Sequence, residues 1–536
     1  MEELIAKKES ANSLMNSGDY DNAINEFTNI INLITPKNED EAIIKSLCLL
    51  NRSICHIHKE NLDDALGDAK LVIETSKIVR PNLDFTPEDK FSGILALAEL
   101  RIGQIYESKQ ETLLAMKSYT NSIHYNPKAG AQDCLFRVYG DLGLPMLDIQ
   151  DPDLKFFSDL ILEIPNEKGV VESISRILTF FEQSEIPESV LDKFADEGVY
   201  LIIFVVMQLY IEDPIIVTSL LIMARNLAEK GILDVFDGSP VVRNAIDHWK
   251  QNPDVIGSAI KFLSLSVTSS ISDDDFVEPM IDALDIEITR DEADMAFMLL
   301  FNLVHSEETD LFKGKNIVEK IFKWKTNSSI LLLSKVVHTK EICEEAYNKG
   351  SLIIAKNILQ NVDDEFLIAA SLQIISNIST LNEEKFNDDI PNIIDIIMKV
   401  VTKNSKNVTI ATNCFSCLSF LLPKSVEKIK EVRAVRAASL IFLVNQKEES
   451  VVRSVISFFF VAAKNGLANS ITEIPNLVSS LLNSLPMYVE NQEIMEKAIC
   501  IAAVTNHPKA KALICFGLDK FPESVILKSL VANISE

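Results

Sequence analysis

Four polar side chains near the start of this 536-residue chain have the types and spacing to act together. Lys8 and Asn12 stand four apart in Lys-Glu-Ser-Ala-Asn, Asn51 opens Asn-Arg-Ser-Ile-Cys, and Arg101 opens Arg-Ile-Gly-Gln-Ile-Tyr. Positions i and i+4 share one face of a helix, so Lys8 and Asn12 point the same way. Asn51 lies fourteen residues before Ala65, and Arg101 lies fourteen before Ala115. That shared offset predicts that each sits on the first helix of a hairpin whose second helix carries the alanine. The chemistry such a set suits is the grip of a peptide's terminal carboxylate. An amide reads a carboxylate without adding charge, lysine adds a point charge, and arginine can bind bidentately. Each charge-assisted bond contributes roughly 1.5–3 kcal/mol, enough in sum for micromolar binding of a short tail.

The elements that must position these residues are repeated helix pairs. In about residues 1–130, Gly18-Asp19-Tyr20 with Ala23 and Phe27 marks a tight turn between two helices. Leu62, Ala65 and Ala69 repeat the pattern, and Ala115, Tyr119 and Pro127 repeat it again. Small residues let paired helices approach, aromatics fill the gap to the next pair, and Pro127 stops the last helix. Ala23 to Ala65 is 42 residues and Ala65 to Ala115 is 50, so the linkers are stretched. The extra length, around Arg80-Pro81-Asn82 and Thr86-Pro87-Glu88-Asp89, reads as an inserted loop. A helix near residues 135–144 is expected to cap the array across residues 131–150.

At these positions the chain resembles the tetratricopeptide repeat (TPR) family, whose unit is about 34 residues. The resemblance places Lys8, Asn12, Asn51 and Arg101 at the dicarboxylate clamp of TPR co-chaperones. It implies as ligand the Glu-Glu-Val-Asp tail of a seventy- or ninety-kilodalton heat-shock protein. Lys8, Asn12 and Asn51 would hold the terminal Asp, and Arg101 an upstream acceptor. The family's second clamp lysine, four residues before Arg101, is Leu97 here, and Lys90 from the inserted loop is the cation at hand to replace it.

Asp151-Pro152-Asp153 predicts a boundary, because the residue before proline leaves helical geometry. From 151 to 536 apolar helices recur near Val217, Ser258, Ala293, Ser328, Ser371, Thr412, Arg453 and Glu496, about 40 residues apart as in armadillo or HEAT units. Residues 272–275 and 361–365 read as polar connectors, and a closing helix is expected after Lys520. Asn226, Asn302 and Asn377 fall at equivalent places in their helices. An amide both donates and accepts, so such asparagines either bind an extended peptide along a groove or satisfy carbonyls of the neighbouring repeat. The expected fold is therefore all-α: an α-α superhelix with an N-terminal TPR array followed by an armadillo/HEAT-like solenoid.

A TPR clamp ahead of such a solenoid resembles the UCS family of myosin-directed co-chaperones. That resemblance implies a chaperone tail in the first array and a client, a myosin motor, on the second. The alternative expectation is a scaffold or transport adaptor whose arrays bind proteins unrelated to chaperones.

Composition agrees with a helical binding protein. Hydrophobic residues make up 47% of the chain, while 16 glycines and 18 prolines are too few turns for an all-β or doubly wound fold of this length. The net charge of −27 opposes contact with phosphate backbones or anionic lipid, so neither nucleic acid nor membrane is expected as a partner. The apolar stretch 200–211 is short of the roughly 20 residues that span a bilayer and reads as a buried helix. The start has no signal-peptide layout, and the eight cysteines have no framework spacing, which suggests reduced thiols in the cytosol. Cys414 and Cys417 read as core thiols, and His56 and His58 as packing residues between hairpins. Phe312-Lys313-Gly314-Lys315 lacks the spacing of a phosphate loop, and no catalytic or metal cluster is apparent. No enzyme activity, metal or cofactor is expected.

Overall fold

The computed structural model describes residues 2–80, 89–142, 147, 151–164, 167–182, 186–233, 235–266, 274–303, 312, 314–381 and 384–534. Among these the regular elements are all helical, and the expected all-α class is what is found. The chain forms two compact units, Met1–Ile271 and Ser272–Glu536.

The first unit opens with three helical hairpins: α1 (Glu2–Asn16) with α2 (Tyr20–Leu33), α3 (Glu39–His58) with α4 (Leu62–Val79), and α5 (Lys90–Ser108) with α6 (Thr112–Tyr125). Each hairpin closes through three residues, 17–19, 59–61 and 109–111. The middle residue is left-handed every time, with φ of +84° at Gly18, +61° at Glu60 and +62° at Gln110. The third residue's N–H then returns to a carbonyl five residues back: Asp19 to Leu14 at 3.0 Å, Asn61 to His56 at 2.9 Å and Glu111 to Tyr106 at 2.9 Å. This is the bond that satisfies orphan carbonyls at a helix C-terminus. From the turns, Lys59 reaches Asp21 and Lys109 reaches Asp63, each time an aspartate on the second helix of the preceding hairpin.

The small-residue positions pack as expected. Ala23, Ala65 and Ala115 are fully buried, as are Phe27 and Tyr119. Across the third hairpin a Cβ on Gly103 would lie 2.5 Å from the Tyr119 ring, so glycine is what lets α5 and α6 approach. Helix α1 buries Ala11, with Leu14 and Met15 packed against the same core. First helices contact one another in sequence, α1 on α3 and α3 on α5, and so line a common wall. A further helix, α7 (Ala131–Leu142), packs on α6 at the place expected for the cap. Residues 143–144 of that expectation, and 81–88 of the expected loop, lie outside the described residues.

The break expected at Asp151 falls inside the first unit, whose limit is 271. Helix Val199–Leu209, the apolar stretch noted above, packs against α6, and Lys117 of α6 lies over the Tyr210 ring at 5.4 Å.

All eight expected solenoid helices exist. They are Pro214–Glu229 and Pro253–Leu263 in the first unit, and Arg290–Leu303, Asn327–Val336, Glu365–Ile378, Val408–Leu421, Glu449–Ala462 and Gln492–Val504 in the second. Within each unit, successive members pack on each other. Side-chain donors stitch several repeats to a carbonyl about one repeat back. Trp249 Nε1 donates to Ile211 O at 2.7 Å in the first unit; Trp324 Nε1 to Leu284 O at 3.0 Å and Tyr488 OH to Gln446 O at 2.6 Å do so in the second. The N-cap asparagines repeat a second stitch: Asn407 donates to Glu365 and Asn491 to Glu449, each glutamate being the first residue of the preceding inner helix.

Details differ from the sequence expectation at two places. Asp274 and Asp275 begin helix Asp274–Ala283 rather than a connector, while residues 272–273 lie outside the described ones. The segment that lacks phosphate-loop spacing is a turn, with Gly314 at φ +77° and Lys315 paired with Glu278, and Lys313 lies outside the described residues. The longest apolar helical run is Glu449–Thr472, long and apolar enough by composition to cross a bilayer, but 56% of its window is buried and left-handed Gly466 breaks it. The closing helix is Val525–Ile534.

Candidate functional site

The four donors fall on the common wall of first helices: Lys8 and Asn12 on α1, Asn51 on α3, Arg101 on α5. Asn51 Nδ2 donates to Asn12 Oδ1 at 2.7 Å, so two amides from consecutive hairpins form one pair. With its oxygen engaged, Asn12 keeps its own NH₂ as a free donor. Lys8 sits one turn earlier, half-buried, and its charge reaches Cys48 on α3. Burial raises that thiol to about 11, and the nearby Lys8 and Arg52 charges act against the rise.

Arg101 is half-buried on α5, and its Nη1 donates to Gln104 Oε1 of its own helix at 2.8 Å. Desolvation lowers its pKa. Its recorded bond is therefore local, and the hydrogen bonding of the wall joins only Asn12 and Asn51 directly. Neither Lys8 nor Arg101 forms an ion pair among the described residues, although Arg52, Lys59 and Lys109 of the same hairpins, with Arg80 after α4 and Arg137 on α7, pair with carboxylates. Two cations without a counter-charge on one wall of a chain of net charge −27 leave room for an external anion.

Leu97 lies one turn before Arg101 and is 46% exposed, an apolar surface beside the guanidinium. Lys90 belongs to α5 as its first residue and not to the inserted loop. It stands two turns before Leu97, about 10 Å along the axis at 1.5 Å per residue, so it does not occupy the place Leu97 takes.

Behind the wall a second network, missed by the sequence reading, fixes the hairpins. Arg52 on α3 grips Asp68 on α4 with bonds of 2.8 and 2.6 Å and donates to Thr28 on α2 at 2.8 Å. Because Arg52 follows Asn51 directly, this bidentate anchor sets the orientation of the helix that carries the amide. Arginine directly after the candidate asparagine was the available signal. His58 stacks on Tyr20 at 4.6 Å between the first and second hairpins, the packing role expected for it. His56 lies 3.9 Å from Asp68.

The asparagines of the solenoid helices are not equivalent. Asn377 donates through Nδ2 to Val337 O at 2.6 Å and accepts from Gln373 Nε2 at 2.9 Å. It serves a carbonyl of the neighbouring repeat, the second of the two roles its chemistry allowed. Asn302 is exposed and Asn226 half-buried, and the two lie in different units. Cys414 and Cys417 are buried thiols; desolvation raises the first far above its ordinary value and the second to about 12. Among the described residues no group of histidine, cysteine or carboxylate side chains is arranged to hold a metal ion.

The sequence matches no protein-family model and no curated protein. Solved structures give three comparisons. The myosin chaperone UNC-45 from C. elegans in complex with a Hsp90 peptide is 12% identical, with a TM-score of 0.24 over 96% of this chain and 72% of that one. Naa15/Naa10 bound to HypK-THB is 12% identical, TM-score 0.21, over 98% of this chain and 90% of that one. Yeast Tom70 is 11% identical, TM-score 0.21, over 100% of this chain and 99% of that one. Scores this low carry no family and no activity. What stands is an all-α helical-repeat chain with a polar wall on its first three hairpins.

Proposed function

We propose that this chain is a protein-binding adaptor whose first three hairpins capture the acidic C-terminal tail of a heat-shock chaperone. The observation that carries the reading is the Asn12–Asn51 amide pair flanked on the same wall by Lys8 and Arg101, neither of which has a carboxylate partner among the described residues. The free Asn12 NH₂ and the Lys8 ammonium are suited to the terminal carboxylate, and the desolvated Arg101 to an acceptor upstream. The second repeat array would then hold a client. The arrangement of a clamp-bearing TPR array ahead of a helical-repeat solenoid, which resembles the UCS family, supports a myosin motor in that role, and tethering both partners to one chain raises their concentration for each other. Such an adaptor acts in the cytosol and performs no chemical step of its own.

Calorimetry with a short peptide ending in Glu-Glu-Val-Asp tests the reading. Micromolar binding is expected, reduced about tenfold or more by Asn12→Ala, by Arg101→Ala and by amidation of the peptide's C-terminus, each of which removes a charge-assisted bond. Leu97→Lys should tighten the same peptide by supplying a cation beside Arg101. Binding that survives amidation and both alanine substitutions rejects the clamp.

The exposure of Leu97 favours a second reading, an adaptor for a non-chaperone tail with an apolar residue at that place. In that case Leu97→Lys weakens capture of the natural partner, and purification from cells returns one non-chaperone complex without heat-shock proteins.

A further inference from the structure

In the second unit, residues 424–447 carry six lysines and arginines against two glutamates, within a chain of net charge −27. Helix Ala434–Val444 runs through this segment. Its inner face, with Val435, Ala438, Ile441 and Phe442, is buried. Its outer face repeats at helical spacing: Arg436, Leu440, then Leu443 and Val444, with Arg433 at the N-cap and Lys447 three residues past the end. Leu440 is 59%, Leu443 48% and Val444 65% exposed.

Among the described residues the cations around this apolar strip form no ion pair. Arg433, Arg436 and Lys447 are exposed. Glu431, the nearest acidic residue in sequence on the N-terminal side, is taken by Lys428. Fold stability does not call for this pattern, because exposed leucine and valine lose nothing by being polar and the arginines hold nothing in place. Apolar residues framed by arginine are the composition of a contact surface.

We infer that this face docks an amphipathic segment of a partner protein, with apolar residues along one side flanked by Asp or Glu. The apolar side covers Leu440, Leu443 and Val444, while the flanking carboxylates meet Arg433 and Arg436. Charge complementarity selects this occupant over the others. Anionic lipid is repelled by the chain as a whole, and Glu448 and Glu449 follow Lys447 directly. A second copy brings its own −27. The proposal is independent of the carboxylate wall on the first hairpins.

The test pans a display library of short random peptides against the full chain, with counter-selection against Arg433→Glu/Arg436→Glu. Enriched peptides should place Leu, Ile, Phe or Met at helical spacing with acidic flanks. Their affinity should fall about tenfold or more for the charge variant and for Leu440→Ser/Leu443→Ser, and fall with added salt for the charge term. All substituted positions are exposed, so circular-dichroism melts should match the parent, and a variant that melts early is replaced by Arg436→Gln. Peptides without acidic bias, or equal binding to the variants, overturn the inference. So does binding to phosphatidylserine vesicles that the charge variant abolishes, which assigns the face to lipid. Concentration-dependent sedimentation abolished by the same variant assigns it to a second copy and equally overturns it.

Discussion

Single side chains in the first three hairpins are set by their burial as much as by their type. Asn12 and Asn51 satisfy each other and still keep donors, whereas Arg101 is desolvated beside an exposed leucine. Glu99, on the buried side of α5, is the clearest case of environment overruling type. Burial raises its carboxyl to about 7, against the opposing hydrogen bonds from Asn121 and Ser118. Asn121 Nδ2 donates to Glu99 Oε1 at 3.1 Å, while Asn121 Oδ1 is buried without a partner. A protonated Glu99 brings an O–H donor beside that oxygen. An acid whose folded pKa is raised binds its proton more tightly when folded. Stability is thus greatest below the ordinary value of 4.5, falls as pH rises to about 7, and is level above. The loss amounts to at most about 3 kcal/mol by linkage. Glu99→Gln keeps the acceptor, adds a donor and removes the charge. Urea unfolding from pH 5 to 8 should show the slope in the parent, no slope in the variant, and a more stable variant at pH 8. Equal slopes would remove Glu99 from this role.

The same three-residue turn closes all three hairpins, yet only the first uses the residue that suits it. Gly18 takes its left-handed φ freely, while Glu60 and Gln110 hold +61° and +62° with a Cβ. An L-residue there costs about 1–2 kcal/mol, partly offset by the greater chain entropy that glycine loses on folding. Glu60→Gly and Gln110→Gly should therefore each stabilise the chain by about 0.5–1 kcal/mol, read as a higher urea midpoint with unchanged slope. Gly18→Ala should move the midpoint the other way. The Gly18-Asp19-Tyr20 turn was legible because glycine marks it, whereas the other two were legible only through the alanines that follow them. Lys90 was placed in a loop for a related reason. Asp89 caps α5 by accepting from the Phe91 N–H at 2.8 Å, and that cap draws Lys90 into the helix.

Across the molecule, stability is carried from repeat to neighbouring repeat. Asn407 both caps its own helix, accepting from the Ile410 N–H at 2.9 Å, and donates to Glu365 one repeat earlier. Asn407→Ala removes both bonds and should cost about 1–2 kcal/mol. In a nearest-neighbour array the damage stays local. Amide exchange should quicken in Glu365–Ile378 and Val408–Leu421 and be unchanged in the three N-terminal hairpins. Uniform quickening throughout would show that the chain unfolds as one body. Sequence reasoning put a boundary at Asp151-Pro152, where the residue before proline leaves helical geometry, and the compact unit that holds α6 runs on to Ile271.

The sequence by itself determined the all-α class, the three hairpins and the eight recurrent apolar helices, because helical periodicity and small residues at close contacts are local signals. It also determined that Lys8, Asn12, Asn51 and Arg101 ride on first helices. Only the tertiary structure decided that Asn12 meets Asn51, that Arg52 anchors the helix that carries Asn51, and that Asn377 serves a neighbouring carbonyl. It alone showed the cationic-apolar face of Ala434–Val444, where Leu440, Leu443 and Val444 are exposed while Val435, Ala438, Ile441 and Phe442 are buried. Pairing partners lie 16 to 40 residues apart, and which side of a helix faces water depends on what packs against it.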